Sequence, residues 1–275
     1  MSADIFAGQP SDPDLLAEIY DVEHDQVTED LVFYRELAQR HRRAVLDLGC
    51  GSGRLFATLL AGGAQRIVGL DGSAALLRRA QRRIDADPEL AAAGADGRLV
   101  LLGGDVRRLD RSELSRALGG DASLVVLAGV LPHLDGPEEA LRLLTGVASV
   151  LHPRGVAVLD DIGPGQLPAA DLPLSLDWRR VVEGTEYVRR SQLMVRQAPE
   201  GLRVAFSTIV DVGRPDGTIA RLPASHRLWY PSSDALSTLV REAGLAEELT
   251  YGSHDLDPLQ ADSERRIHLV RRAVG

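Results

Sequence analysis

The chain has 275 residues, 44% of them hydrophobic, and a formal net charge of −9, which allows a substantial core in one elaborated domain or two small ones. The negative charge argues against a general nucleic-acid-binding protein, and no stretch approaches the roughly 18 apolar residues of a membrane span. The single cysteine, Cys50, excludes an internal disulfide framework, so the sequence predicts a cytoplasmic protein without a nucleic-acid or membrane partner.

The first 40 residues predict a helical segment that precedes the first strand of the sheet. Met1–Pro13 is polar and is expected to be loose, and Met1–Pro10 lacks the basic start of a signal peptide. Helices are predicted over Asp14–Tyr20 and Thr28–Arg40, the second because its apolar residues recur at helical spacing.

The most specific local pattern is Val45–Gly53, where an apolar strand runs into glycines at alternate positions, Gly49, Gly51 and Gly53. Glycine allows left-handed dihedral angles and lets a ligand approach the backbone. Parallel α/β sheets bind nucleotide-like ligands at such strand-to-helix turns. Neither frame of the dinucleotide fingerprint G-x-G-x-x-G fits, and no lysine follows as in a P-loop. What remains is a D-x-G-x-G-x-G turn that begins at Asp47.

Four further apolar strands follow, and their alternation with predicted helices indicates a doubly wound parallel sheet. A carboxylate at the end of the second strand, Asp71, can accept both hydroxyls of a ribose. The strands are predicted over Ile67–Leu70, Leu99–Leu102, Leu124–Ala128 and Gly155–Leu159, and the helices over Leu55–Gly62, Ala74–Ala86, Ser112–Leu118 and Glu138–Leu151. Asp85–Asp96, with Pro88 and Gly94, is expected to be a loose end of its unit.

After Asp161 the pattern changes, because Gly163–Pro173 is rich in chain breakers. Three segments joined by Pro-x-Gly turns then predict a three-stranded antiparallel sheet, over Glu186–Gln197, Leu202–Gly213 and Thr218–Tyr230. A helix over Ser232–Ala243 and strands over Ala246–Tyr251 and Arg265–Arg272 close the main sheet. The predicted fold is therefore α/β, with a doubly wound, seven-stranded, mostly parallel sheet and an inserted antiparallel sheet. Its parts are an N-terminal helical lid (1–40), a core (41–162), the insertion (163–230) and the closing elements (231–275).

The glycine turn, with Asp71 and Asp105 after later strands, resembles that of the class I S-adenosylmethionine (SAM) methyltransferases, which have a Rossmann-like fold. Tyr20-Asp21 and Ala243-Gly244-Leu245 are similar to segments of a bacterial group that acts on small molecules. The inserted sheet, ending in His226-Arg227-Leu228, is similar to that of aminosugar N-methyltransferases of antibiotic pathways. The resemblance implies methyl transfer from SAM, leaving S-adenosyl-L-homocysteine, to a nitrogen or oxygen of a small metabolite such as a natural-product or sugar intermediate. It also implies an insertion that roofs the acceptor pocket and a homodimer.

The resemblance implies a set of cofactor-binding residues in which the glycine turn holds the amino-acid end of SAM and Asp105 meets the adenine. Tyr20 is expected either to fold over SAM as part of the lid or to pack its helix pair. The full set is Tyr20, Asp47, Gly49, Gly51, Gly53, Asp71, Gly72, Asp105, Val106 and Ala128.

His133, after the fourth strand, is the catalytic candidate. A hydroxyl acceptor usually needs a base, whereas a structural histidine would only hold its loop, and both interpretations stay open. The candidate substrate-binding residues are His24, Asp161, Trp178, His226 and Trp229, each of which could instead be a packing residue. Asp160-Asp161 has no third ligand at metal-site spacing, so no metal is expected. Two other functions remain possible: a SAM-fold protein with a different activity such as cyclisation, and a non-catalytic SAM-binding subunit.

Overall fold

The computed structural model describes residues 12–273, which form two sheets and eight α-helices. Met1–Pro10, which was expected to lack a signal peptide, lies outside the described residues. Nearly all of Met1–Pro13, which was expected to be loose, lies outside them too. The strands are β1 Val45–Leu48, β2 Ile67–Asp71, β3 Leu99–Gly103, β4 Ala122–Ala128, β5 Leu151–Ile162, β6 Leu172–Val182, β7 Thr185–Ala198, β8 Gly201–Gly213, β9 Ile219–Pro231, β10 Leu245–Tyr251 and β11 Arg265–Arg272. The helices are α1 Pro13–His24, α2 Leu31–Arg40, α3 Phe56–Ala61, α4 Ala74–Ala86, α5 Pro88–Ala95, α6 Arg111–Leu118, α7 Pro137–Val150 and α8 Ser233–Glu242.

The main sheet has seven strands in the order β10-β11-β5-β4-β1-β2-β3. Strands β1 to β5 are mutually parallel, whereas β11 runs antiparallel to both of its neighbours, β5 and β10. This confirms the predicted doubly wound, mostly parallel sheet. The central strand β1 is buried along its whole length because helices cover both faces of the sheet.

The order of strands changes direction between β1 and β4, which is where ligands bind in doubly wound sheets. The carboxyl ends of these strands carry the glycine turn and the segment leading to His133, so the fold brings the two predicted halves of the site to one edge. Within the described residues, no helix has the length and apolar character that crossing a membrane requires.

The inserted sheet is antiparallel, as predicted, but has four strands in the order β6-β7-β8-β9. The unpredicted strand is β6, an edge strand whose side chains are mostly exposed, so it lacks the apolar alternation that identifies a half-buried strand. The expectation that Asp85–Asp96 is a loose end is also wrong, because this segment contains helix α5. Asp87 caps this helix by accepting the N–H groups of Glu89 and Leu90, and Pro88 occupies its first turn.

Candidate functional site

The glycine turn joins β1 to α3 and uses left-handed backbone at each predicted glycine. The φ angles of Gly49, Gly51 and Gly53 are 70°, 55° and 77°, a region that non-glycine residues rarely adopt. A Cβ at Gly51 would lie 2.7 Å from the Tyr20 hydroxyl, and one at Gly49 would lie 2.8 Å from a methyl of Val130. The turn therefore needs glycine for both its backbone conformation and its space.

Two carboxylates flank this turn. Asp71 accepts the Gly51 N–H at 2.9 Å and the Ser73 N–H at 2.7 Å, so it joins the turns that follow β1 and β2. Asp47 is buried on β1, and its carboxylate accepts no hydrogen bond from residues 12–273. Burial, reinforced by the charge of Asp71 and opposed by Arg54, raises the pKa of Asp47 to about 7. A cationic group placed beside Asp47 would favour its ionised form.

We expect Asp71→Asn to weaken binding of S-adenosylhomocysteine by about 1.5–3 kcal/mol, the range for a hydrogen bond to a charged group. The carboxylate has lone pairs left after its two backbone bonds and can accept ribose hydroxyls, whereas the amide loses one acceptor oxygen. Calorimetry measures the affinity. Asp110→Asn is the matched control, because Asp110 also accepts two backbone N–H groups but caps α6 instead. Unchanged affinity in Asp71→Asn would remove Asp71 from the site.

Helix α1 covers the glycine turn through Tyr20. Its ring stacks on that of His24, with centroids 4.0 Å apart, and His24 Nδ1 donates to the Tyr20 carbonyl oxygen at 2.8 Å. Burial raises the pKa of Tyr20, so its hydroxyl is neutral and can donate. The structure thus places the predicted lid residue on the turn, and His24 supports Tyr20.

Ion pairs hold α1 in place on two sides, and none of them was predicted from the sequence. Arg83 of α4 pairs with Asp25 at 2.7 Å and donates to the Ser52 carbonyl oxygen at 3.0 Å. On the opposite side, Arg189 of β7 pairs with Glu23 at 2.7 Å. These contacts join α1 to both the turn and the insertion.

The remaining predicted cofactor residues lie at the ends of β2, β3 and β4. Gly72 follows β2, and a Cβ there would lie 3.6 Å from the Gly104 carbonyl oxygen. The Asp105 carboxylate accepts from Arg107 Nε at 2.8 Å, and this bond lowers the pKa of Asp105. Val106 and Ala128 are half-buried. An adenine amino group would have to share Asp105 with Arg107.

His133 ends a short 3₁₀ turn, Leu131–His133, and faces the inserted sheet. Its ring is 6.2 Å from that of His226 on β9, centroid to centroid, with the two planes nearly perpendicular. His133 stays exposed, yet the surrounding protein displaces enough water to lower its pKa, and the charge of His226 acts in the same direction. The structure therefore brings these two predicted residues together where the turn after β4 meets the inserted sheet.

The face of the inserted sheet that carries His226 also carries Phe206 and Arg189. The Arg189 guanidinium lies 5.0 Å from the Phe206 ring centroid, and that ring is 6.3 Å from His226. A cation over an aromatic ring is attracted by its quadrupole. Sequence reasoning missed both residues, because a strand pattern does not show which face meets the main domain.

Three predicted acceptor residues lie elsewhere. Trp229 is 1% exposed and packs in the main core, so it is not a wall of an open pocket. Trp178 packs against the cluster formed by α1 and the inserted sheet. Asp161 is buried opposite Arg266 in the strand register, and burial raises the pKa of Asp161 to about 7. Core packing buries Trp229 because it is large and apolar, whereas Trp178 is half-buried beside α1.

Asp160 and Asp161 do not share a site, because successive residues of β5 face opposite sides of the sheet. Asp160 accepts from the Tyr34 hydroxyl at 2.6 Å, from His254 Nε2 at 2.9 Å and from Arg265 Nη2 at 2.5 Å. Burial opposes ionisation of Asp160, but these donors outweigh burial and lower its pKa. This cluster joins α2, β5 and β11.

Residues 45–155 match the family model described as a methyltransferase domain. This segment contains the glycine turn, the ends of β2 to β4 and His133. Among proteins with curated descriptions, none matches the sequence significantly.

Solved structures share the fold over almost the whole chain. DesVI from Streptomyces venezuelae has a TM-score of 0.71 and 19% identity, covering 94% of this chain and 98% of that one. The sugar N-methyltransferase KedS8 from Streptoalloteichus sp. has a TM-score of 0.67 and 20% identity, covering 99% and 97%. SAM-bound CalS10, an amino pentose methyltransferase from Micromonospora echinaspora, has a TM-score of 0.64 and 20% identity, covering 93% and 97%. At these identities, the likeness is one of fold.

Proposed function

We propose that this chain, whose residues 45–155 match the model of a methyltransferase domain, is a class I SAM-dependent methyltransferase that transfers the methyl group of SAM to a nitrogen or oxygen of a small molecule. The observation that carries this proposal is the glycine turn between Asp47 and Asp71, which lies against Val130 at the start of the short turn that holds His133 next to His226. A donor site and a site for a proton acceptor therefore lie at the same edge of the sheet.

The residues around the turn suit SAM. The left-handed glycines leave the backbone open to a ligand, and Asp47 offers a buried carboxylate to the positively charged amino-acid end. Asp71 retains acceptor capacity for ribose hydroxyls. Tyr20 would close over this end of the site, because its hydroxyl already lies against Gly51.

SAM supplies a methyl group on a sulfonium, so the protein need not create the electrophile. The chain must hold the acceptor lone pair in line with that methyl, which is catalysis by positioning. It must also take a proton from an ammonium or hydroxyl acceptor, and a neutral His133 imidazole suits that task. Helix α1 shields the turn from water.

An amine acceptor on a sugar or related natural product is the form of this proposal that the relatives favour. KedS8 is named as a sugar N-methyltransferase and CalS10 as an amino pentose methyltransferase. The likeness to each spans nearly the full chain, including the inserted sheet. Nothing comparable favours cyclisation or a non-catalytic subunit.

The test is methyl transfer by the purified chain. SAM with a labelled methyl group is incubated with separate panels of amino sugars, other amines and hydroxylated compounds, and products are followed by mass spectrometry. We expect labelled product and S-adenosylhomocysteine to form in equal amounts with an amine panel. Binding of S-adenosylhomocysteine without transfer to any panel would instead favour the non-catalytic subunit.

We further propose that a second copy of the chain packs on the outer face of the inserted sheet. Leu176, Val181 and Met194 lie on that face and are 62%, 65% and 46% exposed. Large apolar side chains exposed along one face of a sheet are a feature of protein interfaces. Sedimentation should show a dimer that the Leu176→Lys, Met194→Lys double variant converts to the 29.6 kDa monomer. Val32→Lys, which changes an exposed residue of α2, is the control. A monomeric wild type would contradict the proposal.

A cytoplasmic location and the absence of a nucleic-acid partner stay predictions. The single cysteine, Cys50, is buried and its pKa is raised by burial, which is the behaviour of an unreactive packing residue. The net charge of −9 disfavours a polyanionic partner.

A further inference from the structure

Two imidazoles from different layers of the molecule lie next to each other where the main domain meets the inserted sheet. His133 belongs to the turn after β4, whereas His226 belongs to β9 of the inserted sheet. Neither imidazole forms a hydrogen bond with residues 12–273, and His133 is exposed while His226 is half-buried. By contrast, the His24 and His254 rings are engaged by Tyr20 and Asp160. The pair therefore has hydrogen-bonding capacity that the described residues leave unused.

The distance and angle between the rings limit where a ligand atom can lie. Their centroids are 6.2 Å apart and their planes meet at 82°, which is the spacing of neighbouring edge-to-face rings, so an atom bonded to both lies beside the pair and not on the line between them. No direct hydrogen bond joins the rings, and a polar atom such as a water oxygen or an amine nitrogen has the reach to bond to both when their nitrogens turn toward it.

The surroundings hold His226 in place and keep the pair neutral. The His226 ring lies beside Phe206, and Arg189 faces it from β7. Desolvation and the charge of Arg189 lower the pKa of His226, while Glu23 and Asp177 pair with that guanidinium at 2.7 and 3.1 Å.

The groups around His133 shift its pKa in opposite directions. Desolvation and His226 lower the pKa of His133, and Asp71 partly opposes them. Near neutral pH, each imidazole therefore has a lone pair available for a proton. Protonation of one disfavours protonation of the other, because the two positive charges would repel each other.

We propose that the reacting atom of the acceptor binds against both His133 and His226 and that His226 is a second proton-accepting residue of this site. This inference rests on the proposed function. The acceptor lone pair forms the new bond to the methyl carbon, the carbon–sulfur bond breaks with its electrons staying on sulfur, and the proton leaving the acceptor moves to an imidazole lone pair. One imidazole takes the proton while the other stays neutral and holds the acceptor.

The first test needs no turnover. The full chain is prepared with ring-labelled histidine, and the two resonances are assigned with His133→Gln and His226→Gln. We expect both wild-type midpoints to lie below the ordinary value of 6.5, and removal of either imidazole to raise the midpoint of the other. His152→Gln is the control, because this ring bonds only to the Arg154 N–H near the start of β5. Midpoints that do not respond to each other would overturn the inference.

The second test uses methylamine as the probe, added to the chain loaded with S-adenosylhomocysteine. Both resonances should shift in the wild type, and the remaining resonance should shift less in either variant. A shift at His133 alone would exclude His226 from the acceptor site.

Turnover separates this inference from the proposed function. With an acceptor from the panels, His226→Gln should lower kcat about ten-fold, and the double variant by about 10²–10⁴-fold with loss of the acidic limb of the pH–rate profile. Affinity for S-adenosylhomocysteine should stay unchanged. If the His226→Gln variant keeps full activity, His226 is not a proton-accepting residue, although the proposed function still stands. If the wild type transfers no methyl group, the proposed function itself is wrong.

Discussion

Gly51→Val should abolish measurable binding of S-adenosylhomocysteine while leaving most of the fold intact. Gly51 has a φ of 55°, and a Cβ there would lie 2.7 Å from the Tyr20 hydroxyl. A β-branched residue is strained in this region, at a cost of about 1–3 kcal/mol before any clash. The side chain would also fill the space that a ligand needs and pull the Gly51 N–H from Asp71. Together we expect a loss of at least about two orders of magnitude in affinity, measured by calorimetry.

Matched variants isolate the cause of this loss. Gly97 also has a positive φ, 66°, but a Cβ there would meet no neighbouring group within 4 Å, so Gly97→Val carries the same kind of strain away from the turn. It should reduce stability and leave affinity unchanged. Adding Tyr20→Ala to Gly51→Ala should relieve the contact with the ring but not restore binding. If Gly51→Val binds as well as wild type, the glycine turn is not the cofactor site.

The elements near the glycine turn were predictable because local patterns encode them. Strands β1, β2 and β4 are mainly apolar, and Ser73 caps α4 where the sequence predicted a helix. The predicted range of α4 agrees with the structure at both ends, Ala74–Ala86. Chain-order rules for parallel sheets then bring the strand ends together, so the approximate position of the site follows without tertiary information.

The orientation of the inserted sheet was not predictable in the same way. Alternation along β9 shows that Trp229 and His226 lie on different faces, but not which face covers the main domain. The structure buries Trp229 in the core and leaves His226 facing His133. An aromatic residue predicted as a pocket wall was therefore a core residue, because burial of a large apolar side chain stabilises the junction.

The Asp160 cluster shows a second limit. Its members come from α2, β5, β11 and the loop before β11, with Tyr34 separated from Asp160 by 126 residues and Arg265 by 105. No local spacing in the sequence connects them. A lone aspartate after a strand is commonly an end or cap residue, and only the folded chain shows that it is the centre of a buried ion cluster.

Asp160→Ala should destabilise the protein by about 3–5 kcal/mol, the range for removing one partner of a buried ion pair. Asp160 is 1% exposed, and its loss leaves the Tyr34 hydroxyl buried without its acceptor and the Arg265 charge without its counter-ion. Urea denaturation at neutral pH measures the change. Asp96→Ala removes the exposed pair with Arg98 and should cost less than about 1 kcal/mol. Tyr34→Phe, which removes only one hydrogen bond, should fall between them.

The pH dependence of stability tests whether Asp160 is ionised in this cluster. Because the pKa of Asp160 is lower in the folded chain than its ordinary value of 3.8, ionised Asp160 contributes stability above that value. This contribution is lost as pH falls from about 4 toward the folded pKa, where both states become protonated. Asp160→Asn cannot ionise, so its stability should fall less steeply over this acid range than that of the wild type. If both proteins lose stability in parallel below pH of about 4, Asp160 is not ionised in the fold, and the strong favourable pairing with Arg265 inferred from the geometry is wrong.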